Sequence, residues 1–155
     1  MGTSIVEVTD LFMTLQQDYK LVNLYMTSGS QVLTDYLEAW LLFSIQEFTP
    51  VCNQSLIYTS GSVQEFTETL NQENKMILSQ IMIKYWMKKN IQDLLKMDNS
   101  LQDHDFKSFS QAQNLKAKQD FYNSYKEEVS QILNEYAYRG NTWSEWFTQI
   151  FSGGI

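Results

Sequence analysis

The stretch that decides the fold runs from Asn71 to Met97 and reads NQENKMILSQIMIKYWMKKNIQDLLKM. Its large apolar side chains return every three or four residues, which is the spacing of one face of an α-helix. They are Ile77, Leu78, Ile81, Met82, Tyr85, Trp86, Ile91, Leu94 and Leu95. At a rise of about 1.5 Å per residue the predicted helix is about 40 Å long, which is more than a small globule requires.

A second long helix is predicted downstream. Ser108 and Gln111 fit a capping box at its start, and Gly140 suits the position after its last residue. Its apolar stripe returns in steps of three, four or seven: Ala112, Leu115, Tyr122, Tyr125, Val129, Ile132, Leu133 and Tyr136. The two helices, joined by a polar segment, predict an antiparallel helical hairpin over residues 70–139.

Upstream, residues 1–49 predict further helices. Ser30 suits an N-cap, and an apolar-periodic run from Val32 to Ile45 ends before Pro50. An earlier periodic stretch, over residues 8–24, is also predicted to be helical.

Residues 50–69 differ in character, because small polar and β-branched residues dominate around Gly61. The segment predicts either a long loop or a short β-hairpin. An insertion of this length between helices favours an interaction loop.

The composition supports a helical chain. Only one Pro and six Gly occur among 155 residues, whereas sandwiches and barrels need frequent turn residues. We therefore expect one all-α domain over residues 1–155, a helical bundle centred on the long antiparallel hairpin, with an irregular or short β-hairpin insertion. A C-terminal docking segment, residues 140–155, completes it.

That last segment is unusually apolar. Thr142 and Glu145 fit a second capping box, which opens a short amphipathic run. Five large apolar residues fall within nine positions: Trp143, Trp146, Phe147, Ile150 and Phe151. Burying each is worth about 1.5–3 kcal/mol, so we expect them to fold back on the hairpin or to dock on another subunit.

The residue inventory disfavours an enzyme. A single Cys52 and a single His104 exclude an internal disulfide framework and a cysteine zinc cluster, and no glycine-rich phosphate loop is present. The acids from Asp98 to Asp105 lack the ligand pattern of an EF-hand, so we expect a polar loop, no metal and no cofactor. We expect Cys52 to be a buried small apolar group and His104 to be exposed.

The charge pattern restricts the partners. The net charge is −7 and Arg139 is the only arginine, which disfavours nucleic acid as the primary ligand. Residues 1–72 carry eight acids and one base, whereas most lysines lie further on. Lys84, Lys88 and Lys89 form either a solvated helical face or contacts with acidic residues of a neighbouring copy. No basic leader or membrane-spanning stretch is visible, so we expect a protein that stays inside the cell.

Several blocks of the second half resemble a known family. They are LNQENK at 70–75, KYW at 84–86, IQD at 91–93, LQDHDFK at 101–107, YAYR at 136–139 and WSEWF at 143–147. Over roughly residues 65–151 the chain resembles the small helical head-to-tail adaptor (connector) proteins in the neck of tailed bacteriophages.

The resemblance implies a virion structural protein, made in the host cytoplasm and located between capsid and tail. Its subunits would form a ring, usually a dodecamer, that joins the portal protein to the next neck or tail component and lets DNA pass without sequence recognition. Carried over by position, the five C-terminal apolar residues would dock on the portal or on a neighbouring subunit. The tail-side loop would comprise Gln54, Tyr58, Ser60, Gly61 and Ser62.

Two other functions remain open from the residues alone. One is a small acidic intracellular regulator or inhibitor that binds another protein through its aromatic C-terminus. The other is a nucleic-acid-binding hairpin, for which the lysine group is the only support.

Overall fold

The computed structural model describes residues 2–16, 18–100 and 108–140, with side chains over 2–16, 18–96 and 113–139. The elements are α1 (Ile5–Leu15), α2 (Tyr19–Ser28), α3 (Ser30–Phe48), β1 (Tyr58–Thr59), β2 (Glu65–Phe66), α4 (Gln72–Ser100) and α5 (Ser108–Gly140). The prediction of an all-α bundle centred on a long helical hairpin, with a short β-hairpin insertion, is confirmed.

Helix α4 is the centre of the bundle, because α1, α3 and α5 all pack against it. Its buried side chains cover most of its circumference: Ile77, Leu78, Ile81, Met82, Ile83, Trp86, Met87 and Ile91. A helix that is apolar on nearly every side is stable only when neighbours enclose it. Phe12 of α1 and Leu37 and Leu41 of α3 are fully buried and belong to the same core.

Helices α4 and α5 run antiparallel, as predicted. The Tyr125 hydroxyl donates to the Gln80 carbonyl at 3.3 Å, and Tyr136 reaches the start of α4 near Asn74. Val129 and Tyr136 are buried, and four further members of the predicted stripe pack against the core: Tyr122, Tyr125, Ile132 and Leu133.

One member of the predicted α4 stripe is wrongly placed. Leu95 is 39% exposed. Ile91 is the last buried apolar residue of α4 among the described side chains, so the buried face of this helix ends before Leu95.

The N-terminal helices begin and end differently from the prediction. Gly29, not Ser30, occupies the cap of α3, and its φ of 86° lets it end α2 and begin α3 at one sharp turn. The stretch over residues 8–24, predicted to be helical, contains two helices, α1 and α2. Asp18 starts the second by accepting the backbone N–H groups of Lys20 at 2.7 Å and Leu21 at 3.3 Å.

Residues 50–69 contain a short β-hairpin. Tyr58 pairs with Phe66 and Thr59 pairs with Glu65 in an antiparallel register. Gly61, with a φ of 93°, lies in the turn between the two strands.

The N-terminal segment adds to this hairpin. Phe66 N–H donates to the Thr3 carbonyl at 2.8 Å, and Ile5 N–H donates to the Gln64 carbonyl at 3.0 Å. Gly2 allows this close approach, because a Cβ there would lie 1.6 Å from the Phe66 carbonyl oxygen. The hairpin is thus held from a point some sixty residues earlier in the chain.

Candidate interaction surfaces

Three residues of the predicted tail-side loop lie at the tip of the β-hairpin. Ser60, Gly61 and Ser62 are all exposed, and the neighbouring Val63 is exposed as well. The structure therefore brings these three residues together on an exposed turn, where a partner can contact them.

The other two members of that loop serve as anchors. The Tyr58 hydroxyl donates to Glu38 Oε1 at 2.9 Å, and burial, with the Glu38 carboxylate beside it, raises the pKa of the phenol. Gln54 Oε1 accepts from Asn74 Nδ2 at 2.7 Å, and its amide donates to the Thr69 carbonyl at 3.2 Å. Gln54 and Tyr58 fix the base of the hairpin to its own chain.

A buried glutamine fastens the hairpin to α3. The amide of Gln64 donates to Asp35 Oδ1 at 3.0 Å and to Glu38 Oε2 at 3.2 Å, and Gln31 donates to Gln64 Oε1 at 3.2 Å. Gln64 has a φ of 48°, which non-glycine residues seldom adopt. Sequence reasoning missed this residue, because a single polar side chain in a turn carries no periodic signal.

The three lysines proposed for contacts between subunits have different surroundings. Lys84 is only 9% exposed and binds both carboxylate oxygens of Glu47 in the same chain. Lys89 pairs with Asp93, one turn further along α4, at 2.6 Å. Lys88 is exposed, and no ion pair to it occurs within the part of the chain that the structure describes.

Glu47 is a meeting point of three helices. The pKa of Tyr85 is raised to about 12, first by burial and then by the hydrogen bond that the Tyr85 phenol donates to Glu47. Burial, together with the Glu47 charge, also raises the pKa of Tyr122 on α5. The Lys84 ammonium lies 4.7 Å above the centre of the Tyr85 ring, so this polar group links α3, α4 and α5.

A continuous row of four aromatic rings crosses the outside of α3 and α4. Tyr36, Trp40 and Phe43 follow one face of α3, with ring centres 6.2 and 6.3 Å apart, and Phe43 meets Tyr85 of α4 at 5.5 Å. Phe43 is 49% exposed, and Tyr36 is exposed as well. We call these four residues the aromatic row.

The core face of α3 lies elsewhere on that helix. Its buried residues are Leu33, Leu37, Leu41, Ser44 and Phe48. The periodic run of α3 is thus apolar on two faces, and this two-sidedness is the signal that could have revealed the row. The indole N–H of Trp40 is buried and has no hydrogen-bond acceptor among the described residues.

A cavity of about 390 Å³ lies between the α1–α2 junction, α4 and α5. Its apolar lining comprises Trp86, Met87, Ile91, Leu94 and Phe121. Its polar lining comprises Gln16, Asp18, Lys20, Asn90, Asp93 and Lys118. Phe121 is 64% exposed. This cavity could not be predicted from the sequence, because its lining comes from three separate parts of the chain.

Of the remaining residues singled out from the sequence, only Cys52 has a described side chain. Trp143, Trp146, Phe147, Ile150 and Phe151 lie outside the described residues, as do the side chains from Asp98 to Asp105, with His104 among them. Cys52 is half-buried, and burial raises the pKa of its thiol.

The described residues were also compared with the requirements of a metal site and of a membrane-spanning helix, and they meet neither. They contain no group of three His, Cys, Asp or Glu side chains that could hold a metal ion. Over the same residues, no helix combines the length and the apolarity needed to cross a membrane.

Comparison with known proteins found no matching family model, no matching curated protein and no matching solved structure.

Proposed function

We propose that this chain is a virion structural protein, a head-to-tail adaptor that assembles into a ring joining the portal protein to the tail and lets DNA pass. The proposal starts from the resemblance over residues 65–151. The structural observation that favours it most is the aromatic row, because a ring subunit needs a surface that is complete only against its neighbour.

The aromatic row has the chemistry of a protein-binding surface. Tyr, Trp and Phe are enriched at interfaces, where they provide large rigid contact areas. Phe43 leaves half of its ring in water.

Charge favours contact between different faces of two copies. Lys88 lies one turn beyond Tyr85 on α4 and is exposed, whereas the first 72 residues carry the excess of acids. An exposed lysine of one copy can attract an exposed acid of another copy and so steer their encounter. Such a heterologous contact closes into a ring when the rotation between subunits divides a full turn.

The other parts of the chain have assigned roles in this proposal. The hairpin tip, Ser60 to Ser62, contacts the next neck or tail component. The apolar residues after Gly140 bind the portal or a neighbouring subunit. The protein acts without a cofactor, performs no catalysis and needs no membrane.

Size measurement of the purified chain, alone and with its portal protein, tests the proposal. We expect ring-shaped particles by electron microscopy and a multi-subunit mass by light scattering. The double variant Tyr36→Ser and Phe43→Ser should stay folded and lose assembly, whereas Tyr138→Ser, at an exposed position on α5, should retain it.

A chain that stays monomeric with the portal and binds one host protein tightly would contradict the adaptor and favour the regulator. Virions that contain this chain nowhere between capsid and tail would also contradict it.

A further inference from the structure

We infer that the cavity between the α1–α2 junction, α4 and α5 binds the C-terminal apolar segment, residues 142–151, of a second copy of this chain. The inference rests on the self-assembly proposed above. It names a contact in which two different surfaces meet, the segment of one copy and the cavity of the next.

The cavity has the size and lining of a site for aromatic side chains. Its volume of about 390 Å³ falls in the usual range of binding cavities, and its floor contains the buried side chains of Trp86 and Ile91. Phe121 contributes a ring that is 64% exposed. A partner that covers Phe121 would remove a large apolar surface from water.

The charges that line the cavity select an acidic partner. Lys20 and Lys118 line it, and within residues 2–16, 18–100 and 108–140 neither forms an ion pair. The two lining acids are already engaged, because Asp18 caps α2 and Asp93 pairs with Lys89. Lys20 acts electrostatically on Asp93, which leaves Lys118 as the lining charge that can pair with an acidic group of a ligand.

The C-terminal segment matches both properties. Trp143, Trp146, Phe147 and Ile150 recur at steps of three or four, which places them on one face if the segment is helical. Amphipathic helices with this spacing dock their apolar face into grooves. Glu145, between the two tryptophans, supplies the acid for Lys118.

Length argues that the segment comes from another copy. Nineteen residues of α5 separate Phe121 from Gly140, a distance of about 28 Å. A helix that begins at Trp143 brings Phe147 no more than about 17 Å from Gly140. A helical segment therefore cannot place Phe147 or Glu145 at the cavity of its own chain, and for this reason we assign the contact to a second copy.

Disulfide trapping in the full-length chain tests this contact. The variant combines Cys52→Ser, Lys118→Cys and Glu145→Cys, so that each chain carries one cysteine at the cavity and one on the segment. A disulfide needs Cα atoms about 4.4–6.8 Å apart. After mild oxidation we expect a ladder of covalent multimers on a non-reducing gel, increasing with protein concentration.

The matched control replaces Lys118→Cys by Lys116→Cys. Lys116 is also exposed on α5 but does not line the cavity, so this control should give little or no ladder.

A second measurement tests the same contact without cysteine substitutions, in case the cysteine variant does not fold. Lys118→Glu should weaken self-association several-fold in sedimentation, and adding Glu145→Lys should restore it, because the pair is then reversed and not broken.

The outcomes separate this contact from the adaptor function. A disulfide closed within one chain, or equal ladders from variant and control, would overturn the inference even if rings form with the portal. A clear ladder from a chain that is absent from virions would overturn the adaptor function and leave the contact standing.

Discussion

The side chain of Tyr136 joins the end of α5 to the loop that follows α3. Its hydroxyl donates to Asn53 Oδ1 and accepts the Asn53 backbone N–H at 3.2 Å. Its ring packs edge-on against Phe48, with centres 5.1 Å apart. One residue thus supplies both an apolar and a polar link between distant parts of the chain.

Tyr136→Phe keeps the ring packing and removes the hydroxyl. We expect the free energy of unfolding to fall by about 1 kcal/mol, because two hydrogen bonds to Asn53 are lost while water can still reach that residue. Urea denaturation measures the loss. Tyr138→Phe, at a side chain that is 80% exposed, is the control and should stay within about 0.5 kcal/mol of the unmodified chain. Equal effects at the two positions would show that the hydroxyl of Tyr136 contributes nothing.

The ion pair of Lys84 and Glu47 permits a second experiment at the level of single side chains. Lys84→Met leaves the Glu47 carboxylate without its cation, and we expect a loss of about 2 kcal/mol. Breaking a fully buried pair costs more, but 26% of the Glu47 side chain is exposed. Lys88→Met, on the exposed side of α4, should have little effect.

Adding Glu47→Leu to Lys84→Met should recover at least half of that stability, because neither charge then remains buried. Thermal and urea unfolding of Lys84→Met, of Glu47→Leu and of the double variant measure this recovery. A double variant as unstable as the sum of both single changes would contradict the argument.

Among the elements, those with a long repeat were predictable and those set by distant contacts were not. The stripes of α4 and α5 extend over many turns, so their period defined the hairpin. The strands of the β-hairpin have two residues each and depend on Thr3, so residues 50–69 left loop and hairpin equally open. The pairing of Lys84 within its own chain was not predicted for the same reason. Its partner Glu47 lies 37 residues earlier, so the sequence around Lys84 does not indicate it.

Part of the interaction surface could be anticipated from the sequence. The exposed turn at Gly61 was predicted from its small polar residues. The aromatic row was not, since helical periodicity alone does not show which of two apolar faces of α3 meets the core. The cavity was not predicted either, because its lining forms only when the α1–α2 junction, α4 and α5 pack together.

The docking of the β-hairpin on α3 is sensitive to one added charge. Gln64→Glu keeps the side-chain shape but places a carboxylate against Asp35 and Glu38, where the amide now donates two hydrogen bonds. We expect amide hydrogen exchange of residues 57–67 to become faster by about tenfold or more, because hydrogen bonds to charged groups are worth about 1.5–3 kcal/mol.

Added salt should restore part of the protection by screening the repulsion. Gln46→Glu, on the exposed side of α3, adds the same charge and should leave exchange of the hairpin unchanged. Uniformly faster exchange across α4 would indicate global destabilisation and contradict local release.

At the scale of the whole molecule, the fold should lose stability at alkaline pH. Burial raises the pKa of Tyr85 and of Tyr125 to about 12, with the Glu47 and Glu128 carboxylates adding to it. The unfolded chain releases these protons near pH 10, so between about pH 10 and 12 the folded protein binds more protons than the unfolded one. Stability must therefore decrease as the pH rises through that window.

The urea midpoint, measured at about pH 9, 10 and 11, checks this expectation. It should change little below about pH 10 and fall above it. Tyr85→Phe with Tyr125→Phe should make the fall shallower, since two of the responsible groups are gone. A slope unaffected by both changes would assign the alkaline response to other residues.

The central position of α4 has a consequence for synthesis on the ribosome. Helices α1 and α3 both pack against α4, and the N-terminal Thr3 bonds to residues as late as Leu70. While only the first 71 residues have been made, Phe12, Leu37 and Leu41 lack the face of α4 that completes their burial, and α1 and α3 can pack only on each other and on α2. We therefore expect the nascent chain to keep these apolar faces partly exposed until α4 has emerged from the ribosome.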